Sequence, residues 1–357
     1  MVGGKGTRLL PLTETRPKII LPVADRPCLW YLLRSLAQSG VGEVILACGY
    51  KSELMRRTIG DGSDLGISIE YSYEDEPLGT GGAMKLVEDR LDDTFIAANG
   101  DVFASVDVAG QVRTHFGTGA AVTISLTPVD NPCEFGIART ADDGEILEFK
   151  EKPRPEEVFS NLINAGVYVL QRDVLSRVPE NEFYDFSKNL VPELMSEGRR
   201  VQGHLIDGIW MDVGRPRDLL RANLAVAAAE CAGRVWNAPG CSIEGPFYMG
   251  DGASARGSRL TDTVLLRSAA VRDSTLNRVL AMGGCEISGA ELENVILGDG
   301  CRIGRGAKVS NAVLADGTVI RPGEVLDEGR SVRSATRRAV PAVKYISDFQ
   351  PFRISCT

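Results

Sequence analysis

Glycines and cations alternate near the start of the chain in a pattern suited to binding an anion. The stretch 3–8, Gly-Gly-Lys-Gly-Thr-Arg, leads on to Lys18. Glycines let the backbone approach a ligand closely, and consecutive free N–H groups can then surround anionic oxygens. Arg8 offers phosphate a planar fork of donors, and Lys18 offers a compact positive charge. We interpret the stretch as a phosphate-binding loop; an ordinary glycine-rich turn is the alternative.

Two aspartates stand where predicted strands end. Asp101 closes Asn-Gly-Asp at 99–101, and Asp212 lies in Trp-Met-Asp-Val-Gly at 210–214. Each alone is typical of a turn or a helix cap. Together they offer carboxylate oxygens that could hold Mg²⁺ beside bridged phosphates, while the cationic loop neutralises a leaving group. The combination therefore indicates phosphate chemistry.

A second glycine cluster, Pro-Leu-Gly-Thr-Gly-Gly-Ala at 77–83, opens a predicted helix. Its small residues would let a planar base lie against the backbone. Close packing at the start of the helix is the alternative, because glycine also permits close approach of other chain segments.

Alternating helix and strand patterns must position these motifs. Periodicity predicts helices over 29–36, 52–59 and 80–91, and short apolar runs predict strands over 43–49, 67–73 and 94–98. Further strands are predicted over 120–126, 162–170 and 201–210, with a hairpin turning at 142–144 and helices over 188–196 and 215–230. This order predicts an α/β fold with a Rossmann-like, mostly parallel sheet, whose ligands bind beyond the carboxyl ends of the strands.

The start of the chain is unusual for such a sheet. A strand normally precedes the phosphate loop, yet only Met1 and Val2 precede Gly3. Loss of a central strand would expose apolar surface and unpaired backbone groups on both neighbouring strands. We therefore expect that the sequence is truncated at its first strand.

The sequence changes character after Trp236. Leu297, Ile303 and Val309 lie six residues apart, and Cys301, Ala307, Val313 and Val319 keep the same interval. This spacing predicts a left-handed parallel β-helix of hexapeptide repeats; a β-rich domain with a chance period is the alternative. We expect one domain over 1–232, the β-helix over 236–326 and a basic tail over 327–357.

Composition excludes several classes of protein. The 357 residues carry a formal net charge of −8 with a pI near 5.1, which argues against a nucleic-acid or anionic-membrane binder. No apolar run reaches the roughly 20 residues of a membrane span, and the glycines after Met1 are unlike the apolar core of a signal peptide. The eight cysteines are scattered without a Cys-x-x-Cys pair, so we expect reduced, packing thiols and a cytoplasmic location.

Seven motifs taken in order resemble those of the sugar-1-phosphate nucleotidyltransferases, also called nucleoside-diphosphate-sugar pyrophosphorylases. They are the Gly-Gly-x-Gly-Thr-Arg-Leu loop running to Pro-Lys, then Leu-Gly-Thr-x-Gly-Ala, Asn-Gly-Asp, Phe-Gly, Glu-Lys-Pro, Asn-Ala-Gly and Trp-x-Asp-x-Gly, from Gly3 to Gly214. Longer members of this family commonly end in a β-helical domain. The resemblance implies that residues 1–232 form a nucleotidyltransferase domain.

The resemblance also implies a role for each matching residue. The nucleotide phosphates would be held by Gly3, Gly4, Gly6 and Thr7. Arg8 would contact the departing pyrophosphate and Lys18 the phosphoryl groups, and both would be catalytic with Asp101. Gly79 and Thr80 would face the base. Mg²⁺ would be coordinated by Asp101 and Asp212. The sugar phosphate would be bound by Gly136, Glu151, Lys152 and Asn164.

The reaction implied is in-line attack by a sugar-1-phosphate oxygen on the α-phosphorus of a nucleoside triphosphate, without a protein nucleophile. Leu-Gly-Thr-Gly-Gly-Ala resembles guanylyltransferases for mannose- or heptose-type phosphates, so we expect GTP. A uridylyl- or thymidylyltransferase, a cyclitol phosphate as acceptor, or a non-catalytic regulatory subunit are the alternatives. Acyl transfer by the β-helix is disfavoured, because no His follows Trp236, and His115 and His204 are each expected to be structural or exposed rather than catalytic. We expect a homo-oligomer associated through the β-helix.

Overall fold

The computed structural model describes residues 1–2, 6–49, 52–74, 76–104, 106–208, 210–327, 330–331 and 343–345, of which 104, 330–331 and 343–345 are described by backbone alone. Within these residues the α-helices are α1 Cys28–Gln38, α2 Ser52–Ile59, α3 Gly79–Lys85, α4 Val108–Thr118, α5 Val191–Ser196 and α6 Pro216–Glu230. None of these helices is long and apolar enough to cross a membrane.

The strands up to residue 212 are β1 Pro22–Val23, β2 Arg26–Pro27, β3 Glu43–Cys48, β4 Ser68–Tyr73, β5 Thr94–Ala98, β6 Val102–Ala104, β7 Val122–Pro128, β8 Gly136–Thr140, β9 Ile146–Glu151, β10 Leu162–Gln171, β11 Val201–Leu205 and β12 Trp210–Asp212. The remaining strands are β13 Ser242–Met249, β14 Ser254–Arg256, β15 Arg259–Leu265, β16 Ala270–Arg272, β17 Thr275–Ala281, β18 Glu286–Ser288, β19 Glu291–Leu297, β20 Arg302–Ile303, β21 Lys308–Leu314, β22 Val319–Ile320, β23 Val325–Asp327, β24 Arg330–Ser331 and β25 Val343–Tyr345.

Contacts divide the chain into two compact units. We call Met1–Gly4 with Leu29–Asp212 the sheet unit, and Lys5–Cys28 with Val213–Thr357 the solenoid unit. The segment that contains the predicted phosphate loop therefore packs with the C-terminal half of the chain. The linear boundaries at 232 and 326 stay predictions.

The sheet unit has the predicted α/β architecture. Its main sheet has the order β11-β7-β10-β8-β9, and β5 also pairs with β10. Because β10 is antiparallel to both β5 and β7, while β11 is parallel to β7, strands β5, β7 and β11 all run in one direction. Strands β3 and β4 form a separate parallel pair. Ile124, Leu126 and Tyr168 are buried in the core of this sheet.

Met1 and Val2 lie between the carboxyl ends of β3 and β5. The Val2 N–H donates to the carbonyl of Ala47 at 3.0 Å, and the Met1 ammonium donates to the carbonyl of Ala98 at 2.9 Å. Behind them is a cavity of about 550 Å³, lined by both strands and by apolar side chains of α1, including Leu29. Among the described residues no strand pairs with the facing edges of β3 and β5. The truncated first strand stays a prediction.

The solenoid unit confirms the predicted parallel β-helix. One parallel ladder runs β13-β15-β17-β19-β21-β23, and a second runs β14-β16-β18-β20-β22. Arg259 pairs with Thr275, sixteen residues on, and Glu291 pairs with Lys308, seventeen residues on. The side chains inside the coils are mostly aliphatic, alanine or cysteine, with Phe247 in the first coil, so stacked coils bury a continuous core.

The hexapeptide phase fails at one predicted position. Leu297, Ile303 and Val309 are buried, but Val319 is 57% exposed, and the buried Thr318 takes the place inside the coil that is equivalent to Cys301. The cause is the seventeen-residue coil: Val319 pairs with Arg302, and Ile320 pairs with the buried Ile303. A strict count of six therefore drifts by one residue between these coils.

Several predicted elements differ in extent. The helix expected over 80–91 ends at Lys85 and is followed by a 3₁₀ turn at Glu88–Arg90, and the one expected over 188–196 begins as a π turn at Phe186–Leu190. The strand expected over 201–210 is two strands, β11 and β12. Helix α4 has no counterpart in the sequence interpretation. The described cysteines are free, as expected, and Cys356 lies outside the described residues.

Candidate active site

The predicted phosphate loop folds back on itself around Gly6. This glycine has a φ of +59°, and the Thr13 hydroxyl donates to its carbonyl at 2.9 Å. A Cβ at position 6 would lie 3.0 Å from Thr13 Cγ2 and 3.1 Å from Lys18 Cβ, so the position favours glycine for both conformation and space. The backbone at Gly6 and the root of Lys18 are thereby brought together, as the phosphate hypothesis requires.

Two short 3₁₀ turns carry the other residues of the loop. Thr7–Leu9 contains the exposed Thr7 and Arg8 and is anchored by the buried Leu9; Lys18–Ile20 is anchored by its two buried isoleucines. Gly3 and Gly4 lie outside the described residues. The roles assigned to Thr7, Arg8 and Lys18 stay predictions.

The sheet unit brings Asp101 and Asp212 to neighbouring positions. Strands β6 and β12 are antiparallel, with Asp212 opposite Val102, the residue that follows Asp101. The described residues contain no cluster of three or more His, Cys, Asp or Glu side chains that could hold a metal. Mg²⁺ is commonly held by one or two carboxylates together with substrate phosphates and water. This pair fits a Mg²⁺ ion that binds with the nucleotide.

A bulge in β10 supports the Asn-Gly-Asp motif. The register of β10 against β7 shifts between Asn164 and Tyr168, and Gly166 in the bulge has a φ of +76°. A Cβ on Gly166 would lie 2.7 Å from Asn99 Nδ2, and the Asn99 N–H donates to the Gly166 carbonyl at 2.8 Å. Asn-Ala-Gly thus permits the close approach of the strand end that leads to Asp101.

Asn164 has a structural task in this bulge. Its side-chain amide donates to the Tyr168 hydroxyl at 2.7 Å and to the Ser187 hydroxyl at 3.0 Å, and its oxygen accepts from the Gly166 N–H at 2.9 Å. Burial raises the pKa of Tyr168 to about 12, which keeps this network neutral. Both donor hydrogens of the amide are used, so only its oxygen could accept a further hydrogen bond. Sugar-phosphate binding by Asn164 stays a prediction.

Gly136 and Glu151 lie opposite each other in the β8–β9 ladder. A Cβ on Gly136 would lie 2.7 Å from Glu151 Oε2 and 2.6 Å from Phe149 Cζ, so the absent side chain makes the room that this carboxylate occupies. The Glu151 side chain is only 19% exposed, and burial raises its pKa, while the nearby Lys152 opposes that rise.

Lys152 has a backbone conformation that the sequence does not predict. Its φ is +47°, in the left-handed region that favours glycine, and its N–H donates to the Phe135 carbonyl at 2.9 Å. Non-glycine residues held in this region concentrate at functional sites. Its ammonium is 4.0 Å from Glu151 and its side chain is 62% exposed, so it is available to a ligand.

Lys188 was missed by the sequence interpretation, which assigned it only to a helix. It lies in the π turn, and its charge, like that of Lys152, opposes the rise in the pKa of Glu151 that burial causes, whereas Asp185 at the start of the turn adds to that rise. A carboxylate and a cation of this turn therefore both act on Glu151. No local motif marks it, because the link to Glu151 exists only in the fold.

The second glycine cluster packs against Tyr184 and its neighbours. The N–H groups of Gly81 and Gly82 both donate to the Tyr184 carbonyl, and a Cβ on Gly79 would lie 2.6 Å from the same oxygen. The Thr80 hydroxyl accepts from the Phe186 N–H at 2.7 Å and donates to Asp185 at 3.3 Å. Close packing therefore explains these glycines, and base contact by Gly79 and Thr80 stays a prediction.

Both histidines are structural, as expected. His115 is fully buried, with its ring nitrogens against the Thr123 hydroxyl at 2.9 Å and the Gln171 amide at 2.8 Å. His204 contacts the Thr114 hydroxyl at 3.0 Å. Burial lowers the pKa of both rings.

Comparisons with known proteins match both halves of the chain. The nucleotidyl transferase family profile matches residues 1–229, and a profile described as GlmU-like, C-terminal hexapeptide matches residues 262–329. A mannose-1-phosphate guanylyltransferase from Mycobacterium tuberculosis is 34% identical over 92% of this chain and 82% of the relative. A UTP–glucose-1-phosphate uridylyltransferase from Synechocystis is 29% identical over 90% of this chain and 84% of the relative.

Solved structures include a similar fold. HddC from Yersinia pseudotuberculosis, complexed with GMP-PN, has a TM-score of 0.54 and 26% identity, covering 62% of this chain and 95% of its own.

Proposed function

Because the chain belongs to the nucleotidyl transferase family, we propose that it transfers a guanylyl group from GTP to a sugar-1-phosphate and releases pyrophosphate. The observation that carries the proposal is the pairing of β6 with β12. It sets Asp212 opposite Val102, the residue that follows Asp101, although the two aspartates are far apart in the sequence. Two carboxylates that both reach a bound nucleotide would suit a metal that bridges phosphates.

The chemistry balances without a protein nucleophile. An oxygen of the sugar phosphate forms a bond to the α-phosphorus, the bond from that phosphorus to the β-phosphate oxygen breaks, and pyrophosphate leaves. Arg8 and Lys18 would contact phosphate oxygens on which charge develops, and Lys152 would contact the phosphate of the acceptor. Mg²⁺, when held by Asp101 and Asp212, would neutralise phosphate oxygens of the nucleotide.

The proteins similar to this chain include both guanylyl- and uridylyltransferases. The Mycobacterium tuberculosis relative is named a guanylyltransferase and the HddC structure contains GMP-PN, whereas the Synechocystis relative is named a uridylyltransferase. Guanylyl transfer to a mannose-type phosphate is therefore our proposal, with uridylyl transfer to glucose-1-phosphate as the second candidate. A cytoplasmic location and a homo-oligomer associated through the β-helix are parts of the same proposal.

One experiment tests base and sugar together. Pyrophosphate release is measured for each of five nucleoside triphosphates against a panel of sugar-1-phosphates, including mannose-, glucose- and heptose-type compounds and a cyclitol phosphate. We expect the highest kcat/KM for GTP with a mannose-type phosphate. Highest turnover with UTP and glucose-1-phosphate would replace guanine by uracil, and no turnover with any pair would contradict the enzyme proposal.

A further inference from the structure

Residues stacked at one corner of the solenoid contact the segment that contains the phosphate loop. We call this stack the corner column; successive coils place Asp251, Arg267, Gly283, Asp299 and Asp316 at its equivalent positions, two residues past the paired ends of the long strands. The backbone stacks regularly here, since the residue after each position donates to the carbonyl of the preceding coil.

The aspartates of the corner column link one coil to the next. One oxygen of Asp299 accepts from the Gly283 N–H at 2.9 Å, and one oxygen of Asp316 accepts from the Asp299 N–H at 2.9 Å. By the same pattern, a carboxylate at position 283 would accept from the Arg267 N–H. Position 283 is glycine, so the column itself leaves that N–H without this acceptor.

Asp25 supplies the missing carboxylate from another part of the chain. Its side chain accepts from the Arg267 N–H at 2.8 Å and from the Tyr248 hydroxyl at 3.3 Å. It stands at the tip of the β1–β2 hairpin, where both Ala24 and Asp25 have positive φ. A Cβ on Gly250 would lie 1.9 Å from Asp25 Oδ2, so the missing side chain at position 250 leaves the space that this carboxylate occupies.

Arg16 makes the second attachment, within the loop itself. Its guanidinium contacts Asp299 at 2.8 Å and Asp316 at 2.7 Å, using the carboxylate oxygens that do not link the coils, and the Thr15 hydroxyl donates to Asp316 at 2.9 Å. The Arg16 side chain is 19% exposed. Burial opposes its charge, yet the two carboxylates together raise its pKa.

We infer that the corner column holds residues 6–20 in their working conformation through Arg16 and Asp25, and that Arg16 is a positioning residue for Arg8 and Lys18. The inference rests on the proposed function, because it assigns the solenoid a part in nucleotidyl transfer. Arg16 is held by two carboxylates, so it acts through the loop. Its Nη2 contacts both carboxylates and its Nε donates to the Thr15 hydroxyl at 3.3 Å, a set of contacts that a lysine ammonium would reproduce only in part.

Two variants test the inference from opposite sides. Arg16→Ala removes the loop attachment. Gly283→Asp places a carboxylate where Asp25 now accepts from Arg267, and its Cβ would approach nothing closer than 3.3 Å. The new aspartate would complete the column and repel Asp25, which releases the hairpin while the coils keep their links. Lys308→Ala is the matched control, because it removes an exposed ion pair with Glu291 on the solenoid.

Kinetics and hydrogen exchange are then measured on the full chain. We expect kcat/KM for the nucleotide to fall about 10- to 100-fold in both variants, since small misplacements of catalytic groups have effects of this size. The KM for sugar phosphate should stay unchanged, because Glu151 and Lys152 belong to the sheet unit. Amides of residues 9–21 should exchange faster, Arg16→Lys should restore part of the protection, and Gly283→Asp should keep the wild-type melting temperature.

The outcomes separate the two proposals. Wild-type exchange over residues 9–21 in both Arg16→Ala and Gly283→Asp would overturn the inference, whether or not the protein is active. Faster exchange with unchanged nucleotide kinetics in an active protein would overturn the positioning role. If the variants show the expected exchange pattern but the wild-type protein releases no pyrophosphate, the proposed function alone is contradicted.

Discussion

Gly136→Ala should damage the proposed sugar-phosphate site while leaving the nucleotide loop unaffected. The backbone at position 136 is compatible with alanine, so the effect comes from contact. The new Cβ would lie 2.6 Å from Phe149 Cζ and 2.7 Å from Glu151 Oε2, closer than real Cβ contacts allow. Both side chains or the ladder must therefore shift.

The magnitude follows from the cost of overpacking. Inserting a methyl group into a filled site typically costs about 1–3 kcal/mol. If the strain is relieved by displacing Glu151, the same energy lowers kcat/KM for the sugar phosphate by about 5- to 150-fold, at 1.36 kcal/mol for each factor of ten. The assay is the initial rate of pyrophosphate release against sugar-phosphate concentration at saturating nucleotide.

Gly117→Ala is the matched control. Gly117 lies in α4, where an added methyl group would have no neighbour within 4 Å, and alanine is the better helix former by about 1 kcal/mol. A second comparison introduces Gly136→Ala into Glu151→Ala, where part of the clash is removed, so the loss should shrink. Equal kcat/KM for the two glycine variants, or an undiminished loss in the Glu151→Ala background, would refute the reasoning.

Three further predictions concern stability. Ile320→Ala should lower the free energy of unfolding by about 2–5 kcal/mol, whereas Val319→Ala should change it by less than about 0.5 kcal/mol. Denaturant titration measures both values, and a larger loss for Val319→Ala would show that the six-residue interval continues unbroken. Burial holds the pKa of His115 below its ordinary 6.5, so the unfolded chain takes up the proton first; the free energy of unfolding should fall as pH drops through about 6.5, and His115→Gln should flatten that fall, leaving the part due to His204. Adding five apolar, strand-forming residues ahead of Met1 should fill the cavity between β3 and β5 and raise the melting temperature by several degrees over a Gly-Ser extension of equal length; equal melting curves would contradict that use of the cavity.

The sequence predicts the architecture well because both halves depend on local periodicity. Alternating apolar runs identified β3, β5 and β10, and the six-residue interval identified the solenoid. Prediction failed where an element depends on contacts with distant parts of the chain. Helix α4 was missed, and the structure holds it by contacts from outside the helix: the buried Gln111 donates to the carbonyls of Thr123 and Val167.

The candidate site divides in the same way. Motifs predicted Asp101 and Asp212 as metal ligands, and the structure places Asp212 opposite Val102, the residue that follows Asp101, while their role stays a prediction. The motif glycines, in contrast, largely serve packing: Gly166 admits Asn99, and the glycines of the second cluster admit Tyr184. Lys188 and Arg16 could not be found from sequence, because their charge partners lie far away in the chain.

The most direct test of the account is the Mg²⁺ dependence of pyrophosphate release in Asp101→Asn. Asparagine keeps the size of the side chain but removes the charge, and a melting curve for each variant checks that the fold is retained. We expect turnover to fall by at least about 100-fold at every Mg²⁺ concentration, whereas the exposed Asp92→Asn should stay near wild type. Near-normal, Mg²⁺-dependent turnover in Asp101→Asn would contradict the assignment of nucleotidyl transfer to this pair of carboxylates.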